Sequence, residues 1–315
     1  MVEVEHLTKR YGSFTAVDEI SFQVGQGEIV GFLGPNGAGK TTTMRVLTCF
    51  LPASGGTARV AGYDIFEDPL EVKRRIGYLP ESPPLYMDMR VKHYLGFVAK
   101  IKGVQKENRE GRIVEVMGQC GLADRADQLC GHLSRGYRQR VGLAQAIIHD
   151  PDVIIMDEPT AGLDPNQVRE VRHLIRELAE KRTVILSTHI LPEVEMTCHR
   201  VLIIANGKIV AEDRTENLAE KLMGARRIYL EISGEAEKAM AAIQAVPGVQ
   251  QVFLAEGGRE DAPLGLYVDT PAGDDLRAAL TACVAEQGIG LLEIREEGMS
   301  LEDIFHELTT EEATG

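Results

Sequence analysis

One eight-residue run limits the possible folds of this chain more than any other feature. Gly34-Pro35-Asn36-Gly37-Ala38-Gly39-Lys40-Thr41 fits G-x-x-x-x-G-K-[ST], the phosphate-binding loop. Its glycines let backbone N–H groups turn inward around phosphate oxygens. Lys40 offers a cation to the β- and γ-phosphates, and the Thr41 hydroxyl is placed to ligate Mg²⁺. The helix expected to start here points its positive end at the anion, with Thr42 in its first turn. An apolar run, Glu28 to Leu33, precedes the loop, and a helix-like stretch from Lys40 to about Cys49 follows it. A chance match in a Gly-rich chain would lack that context.

Other apolar runs extend the pattern. Val153–Met156 and Thr183–Ser187 read as buried strands, and Ile209–Asp213 as a last one. Continuous apolar strands separated by helices predict a parallel sheet covered on both faces. From about Tyr86 to Asp150 the strand signals vanish. Val91, Tyr94, Leu95 and Val98 recur there at helical spacing. This predicts a helical subdomain, about 86–150, inside an α/β domain.

The chain has 315 residues, enough for two domains. Charge places the seam. From Arg226 to Gly315 there are 6 basic and 18 acidic residues, which leaves only −2 of the total −14 for the rest. The expected domains are 1–224, closed by a helix over 215–223 with Gly224 as its cap, and an acidic 225–315. The second reads as β (228–233), α (236–245), β (249–254), β (264–269), α (274–286), β (290–296), then an amphipathic helix over 300–308. That order is the ferredoxin-like pattern, an α+β accessory domain.

The acidic balance argues against a broad nucleic-acid surface. No apolar run approaches the roughly 18–20 residues that span a bilayer. The acidic N-terminus lacks the basic and apolar regions of a signal peptide. Five scattered cysteines without a CxxC pair read as reduced thiols of a cytosolic protein.

The strand Val153–Met156 ends in Asp157 and Glu158. In P-loop ATPases an Asp at such a strand end holds Mg²⁺. Glu158 lies one residue beyond, where it is placed to activate the attacking water. A solvated acidic turn would use the same residues, but the phosphate loop in the same chain favours chemistry.

Leu133-Ser134-Arg135-Gly136-Tyr137-Arg138-Gln139-Arg140 resembles the signature motif of ATP-binding cassette (ABC) proteins. Ala161-Gly162-Leu163-Asp164 resembles their D-loop, Thr188-His189 their switch histidine, and Tyr11 the aromatic that stacks on adenine. The likeness covers residues 1 to about 224 and implies a P-loop ATPase (RecA-like) core. It also implies two chains closing head-to-tail over two ATP molecules, most simply as a homodimer. Ser134 and Gly136 would then meet the γ-phosphate held by the opposite subunit. Asp164 would line the seam, and His189 would contact the γ-phosphate and the attacking water. Plain core packing for Tyr11 and a satisfied strand-end histidine for His189 are the alternatives.

One departure stands out. The family usually has Gln after the strand resembling Ile76–Pro80, and here Glu81 follows. Ionised Glu only accepts hydrogen bonds. Glu81 reads either as a ligand to Mg²⁺ or water, or as a solvated loop carboxylate. The form Tyr-Leu-Pro-Glu, with Pro83-Pro84-Leu85-Tyr86 after it, resembles cassettes of gliding-motility-associated and related ABC-2-type exporters. Tyr86, Met87, Met89, Val91 and Tyr94 read either as a groove for a membrane subunit's coupling helix or as the helical subdomain's core. The acidic pairs Asp274-Asp275, Glu296-Glu297 and Glu311-Glu312 read as solvated faces.

The expectation is an ATPase subunit on the inner face of the cell membrane. It would power a polytopic permease on a separate chain, an exporter above all. An importer ATPase with a C-terminal regulatory domain and a soluble non-transport ABC ATPase remain as rivals.

Overall fold

The computed structural model describes residues 2–215, 225–233, 236–255, 264–271 and 275–298. The chain divides into two compact units, Met1–Thr215 and Glu216–Gly315. The stretch 216–224, the expected helix over 300–308, Asp274 and the pair Glu311-Glu312 lie outside the described residues.

The first unit opens with strands β1 (Val2–Tyr11), β2 (Phe14–Val24) and β3 (Ile29–Leu33), then helix α1 (Lys40–Leu47). Strands β4 (Gly55–Val60) and β5 (Tyr63–Asp64), helix α2 (Pro69–Arg75) and strand β6 (Ile76–Leu79) follow. Three helices come next: α3 (Val91–Ile101), α4 (Arg109–Gln119) and α5 (Arg135–Ile147). The unit ends with β7 (Val153–Asp157), α6 (Pro165–Ala179), β8 (Thr183–Thr188), α7 (Leu191–Thr197), β9 (Arg200–Ala205) and β10 (Lys208–Arg214).

Six strands form one sheet in the order β10-β9-β3-β8-β7-β6. All neighbours are parallel except β10, which runs antiparallel at the edge. Every residue of β3, β7 and β8 is buried, which is why these strands are apolar without alternation. A second sheet, β2-β1-β4-β5, is wholly antiparallel. The parallel-sheet expectation did not include it. One hydrophobic core joins the two sheets, with Phe22 of β2 edge-on to Phe32 of β3 at 5.0 Å.

Val91, Tyr94, Leu95 and Val98 turn the buried face of α3 inward. Val91 and Tyr94 are therefore core residues, whereas Tyr86 and Met87 are exposed. Arg112 of α4 donates to the carbonyls of Ile147 and Ile148 at 2.7 and 3.0 Å. It thereby satisfies acceptors that the end of α5 leaves open.

His149, just past α5, makes one hydrogen bond, Nε2 to the Ile76 carbonyl at 3.0 Å, while Nδ1 is buried without a partner. Burial, helped by the nearby Lys102 and Arg112 cations, pulls its pKa from 6.5 down to about 4. The unfolded chain thus takes a proton first as pH falls. Stability present above pH 6.5 is lost progressively towards pH 4, by up to about 3 kcal/mol. His149→Asn is expected to flatten the fall in Tm between pH 7 and 5, and parallel Tm curves for the two proteins would reject this.

The second unit runs β11 (Ala225–Ser233), α8 (Ala236–Gln244), β12 (Gln251–Leu254), β13 (Leu264–Pro271), α9 (Arg277–Glu286) and β14 (Gly290–Gly298). Its sheet is antiparallel in the order β12-β13-β11-β14. Ile228, Leu230, Ile232, Leu266 and Val268 of the strands pack with Ile243 of α8 and Leu280 and Val284 of α9. On the alternate positions, Arg227 makes a two-pronged ion pair with Asp269 at 2.7 and 3.0 Å, beside the rings of Phe253 and Tyr267.

Candidate functional site

The phosphate loop links β3 to α1, and close packing dictates its glycines. A Cβ on Gly34 would stand 2.3 Å from the Ile204 carbonyl oxygen. Gly39 adopts φ +108°, and a Cβ there would meet the Ala16 carbonyl oxygen at 2.5 Å. Neither position admits a side chain without moving backbone. Ala38 is buried beneath the loop, and Pro35 and Asn36 form its outer rim.

Lys40, 6% exposed, folds back over this loop. Its ammonium donates to the carbonyls of Gly34 (2.6 Å) and Pro35 (3.1 Å) and lies 3.6 Å from a Glu158 carboxylate oxygen. Burial pulls its pKa below the ordinary lysine value, while Glu158 and Asp157 push it back up. The next residue, Thr41, donates its hydroxyl to Asp157 Oδ1 at 3.1 Å. The Ser187 hydroxyl donates to the same oxygen. Asp157, 2% exposed, therefore joins three elements: α1, β7 and β8.

Glu158 has a left-handed backbone, φ 49°, a conformation that costs a non-glycine residue about 1–3 kcal/mol. Its N–H donates to the Ser187 carbonyl at 3.1 Å. The turn directs its carboxylate to His189, whose Nδ1 lies 3.0 and 3.1 Å from the two oxygens. Lys40, Asp157, Glu158 and His189 thus converge at the ends of parallel strands, where α/β sheets bind ligands.

A cleft of about 270 Å³ opens over the loop. Of the residues singled out in the sequence, Tyr11, Asn36, Gly37, Gly39, Lys40, Thr41, Thr42, Glu81 and Glu158 line it. The first of these sits beside a second aromatic, Phe14, which sequence reasoning missed. Tyr11 and Phe14 pair across the tight β1–β2 turn at Gly12-Ser13, both largely exposed. An aromatic on each side of a Gly-Ser turn was the available signal.

Ser134, Gly136 and Asp164 do not line the cleft. They gather at the facing starts of α5 and α6. Ser134 caps α5 by accepting from Tyr137 N–H at 3.4 Å, and Asp164 caps α6 by accepting from Asn166 and Gln167 N–H at 3.0 Å each. The Gln167 side chain lies against Gly136, where a Cβ would come within 2.2 Å of Gln167 Oε1. Among the described residues no group of three or more His, Cys, Asp or Glu side chains forms a metal cluster.

The family model described as ABC transporter matches residues 17–161, from β2 past Glu158. Beyond that segment, the Bacitracin transport ATP-binding protein BcrA of Bacillus licheniformis is 35% identical over 98% of this chain and 97% of its own length. This chain belongs to the ABC transporter family. The Linearmycin resistance ATP-binding protein LnrL of Bacillus subtilis is 33% identical over 98% of each chain. A solved ATP-binding subunit of an ABC transporter superposes with a TM-score of 0.64 at 29% identity. It covers 70% of this chain, and 92% of its own length is matched. The cassette is the ATP-binding subunit of an ABC transporter, and its activity is ATP hydrolysis.

Proposed function

We propose that this cassette powers an ABC-2-type exporter. Convergence of Lys40, Asp157, Glu158 and His189 at one set of strand ends, beside the cleft that Lys40 and Glu158 line, carries the reading. The relatives named for bacitracin transport and linearmycin resistance support the outward direction, because both match over nearly the full chain.

Each residue takes a role from its position. The N–H groups of Gly37 to Thr42 and the Lys40 ammonium receive the phosphates of ATP. Tyr11 and Phe14 offer π-faces to the base. Thr41, Asp157 and Glu81 are hard oxygen donors beside the loop, a set that suits Mg²⁺. Bound there, Mg²⁺ would neutralise phosphate charge. Glu158 takes the proton of the attacking water, and His189 holds that carboxylate and contacts the γ-phosphate. Ser134 and Gly136 act on the nucleotide of a second copy, with Asp164 at the seam. A homodimer of cassettes is the simplest assembly.

The proposed domains are the nucleotide-binding domain 1–224, with its helical subdomain at about 86–150, and the accessory domain 225–315. The β-α-β-β-α-β order and antiparallel sheet support a ferredoxin-like accessory domain. No helix among the described residues is long and apolar enough to cross a membrane. The transport path is assigned to a separate polytopic permease, with the cassette on the inner face of the membrane.

The test is to tag the chain, solubilise native membranes gently and identify what copurifies. A polytopic membrane protein without an external solute-binding protein is expected. A solute-binding protein in the complex would reverse the direction to import. Ribosomes or nucleic acid without a membrane protein would overturn the transporter reading.

A further inference from the structure

A buried carboxylate stands beside the catalytic cluster without lining the cleft. Glu193, on α7, is 7% exposed. Its Oε2 accepts from the hydroxyls of Thr160 at 2.6 Å and Thr188 at 3.0 Å, and both threonines are buried. Thr160 lies two residues after Glu158, and Thr188 directly precedes His189. The Thr188 hydroxyl also accepts from Ile190 N–H at 3.0 Å, so the segment on both sides of His189 is held. One oxygen on a third element therefore ties the two segments that carry Glu158 and His189.

Two physical features give this tie a purpose. A carboxylate withdrawn from water is costly unless hydrogen-bonded, so the site is built around its two donors. Glu158 also has a left-handed backbone that its surroundings must hold. Ser187 holds its N–H on one side. Pro159, next in the chain, has no N–H to offer. Thr160 is the first residue beyond Glu158 whose side chain can anchor the turn, and it is anchored to Glu193.

We propose that Glu193 is a positioning residue for hydrolysis. It holds Thr160 and Thr188 on one carboxylate oxygen and so fixes the Glu158 carboxylate against the His189 ring. This rests on the catalytic roles proposed above for those two residues. Misplacing a reacting group by about 1 Å costs up to roughly 10²-fold in rate. Lys40, Thr41 and the phosphate loop, which supply most of the phosphate contacts, hang from β3 and α1, so nucleotide affinity is expected to depend on this tie far less than turnover does.

The experiment compares Glu193→Leu, Glu193→Gln and Thr160→Val in the purified full-length chain. It reads kcat and ATP Kd separately. Leu keeps bulk but removes the acceptor, whereas the Gln amide oxygen has two lone pairs for the two hydroxyls. Val at 160 keeps shape and removes one donor, so the test survives if Glu193→Leu does not fold. Glu193→Leu and Thr160→Val are expected to lower kcat by about tenfold or more, with Kd changed less than about twofold. Glu193→Gln is expected to retain most of the turnover. Wild-type kcat in both Glu193→Leu and Thr160→Val overturns the proposal. So does a Gln variant as slow as Leu, or a parallel loss of ATP affinity, since either marks a general structural role. Glu158→Gln in the same assay separates the two readings. If it hydrolyses normally, the catalytic reading fails and the positioning role with it. If it is slow while Glu193→Leu is normal, only the positioning role fails.

Discussion

Glu158→Gln is expected to bind ATP and hydrolyse it at least 10²-fold more slowly, the range for loss of a general base. The amide fills the same volume and keeps one oxygen for His189, which lies 3.0 Å from the present carboxylate. What it loses is the ability to take a proton from water. It also loses a negative charge 3.6 Å from Lys40, at a site that must accept a polyanion. ATP affinity is therefore expected to hold or rise while kcat collapses. That combination identifies an interaction made in the transition state and not in the ground state. Single-turnover hydrolysis and equilibrium nucleotide binding read the two terms independently. Near-normal turnover would reject Glu158 as the base, and equal losses of binding and turnover would point to damage of the phosphate loop instead.

The parts of the molecule that were legible in the sequence are those where burial acts on neighbouring residues. Strands β3, β7 and β8 are buried on both faces, so their apolar runs are unbroken and hard to misread. The second antiparallel sheet escaped because its alternation slips. The β1–β2 register shifts at Val4/Leu7 and Leu7/Lys9, and His6 and Glu19 both have positive φ. Each irregularity moves later side chains to the other face and erases the period-2 signal. Among the described residues of the second unit, the expected order of four strands and two helices occurs with ends shifted by a few residues, as with α9, expected from 274 and observed from Arg277.

The site divides in the same way. Lys40, Thr41, Asp157 and Glu158 stand in contiguous motifs whose chemistry is written in the residue types. Ser187, Glu193 and Phe14 do their work through contacts across strands, and no local spacing announces them. Glu193 is one of two acidic residues in a short helix, and only the fold shows that Thr160, 33 residues earlier, meets Thr188 on it. Ser134, Gly136 and Asp164 entered through resemblance, and within one chain they form a separate group at two helix starts. Their place away from the cleft fits the proposed head-to-tail pair, in which each copy would complete the other's site.

Lys40→Ala tests the other half of the reaction, the capture of ATP. A charge-assisted hydrogen bond to phosphate contributes about 1.5–3 kcal/mol, so affinity is expected to fall by roughly ten- to a hundredfold. The fold is expected to tolerate the change. Two terms oppose each other there: the carbonyls of Gly34 and Pro35 and the Glu158 carboxylate lose their cation, but a desolvated ammonium is also removed. Burial already disfavours the charged form of Lys40. A buried cation kept at that cost, within reach of the phosphate loop, makes sense if its main partner is the nucleotide. Titration of ATP into both proteins, with Tm measured without nucleotide, separates binding from stability. Weakened binding at a nearly unchanged Tm supports the assignment. Unchanged affinity would mean that the loop's N–H groups alone hold the phosphates, and Lys40 would then be a structural tie between its own loop and Glu158.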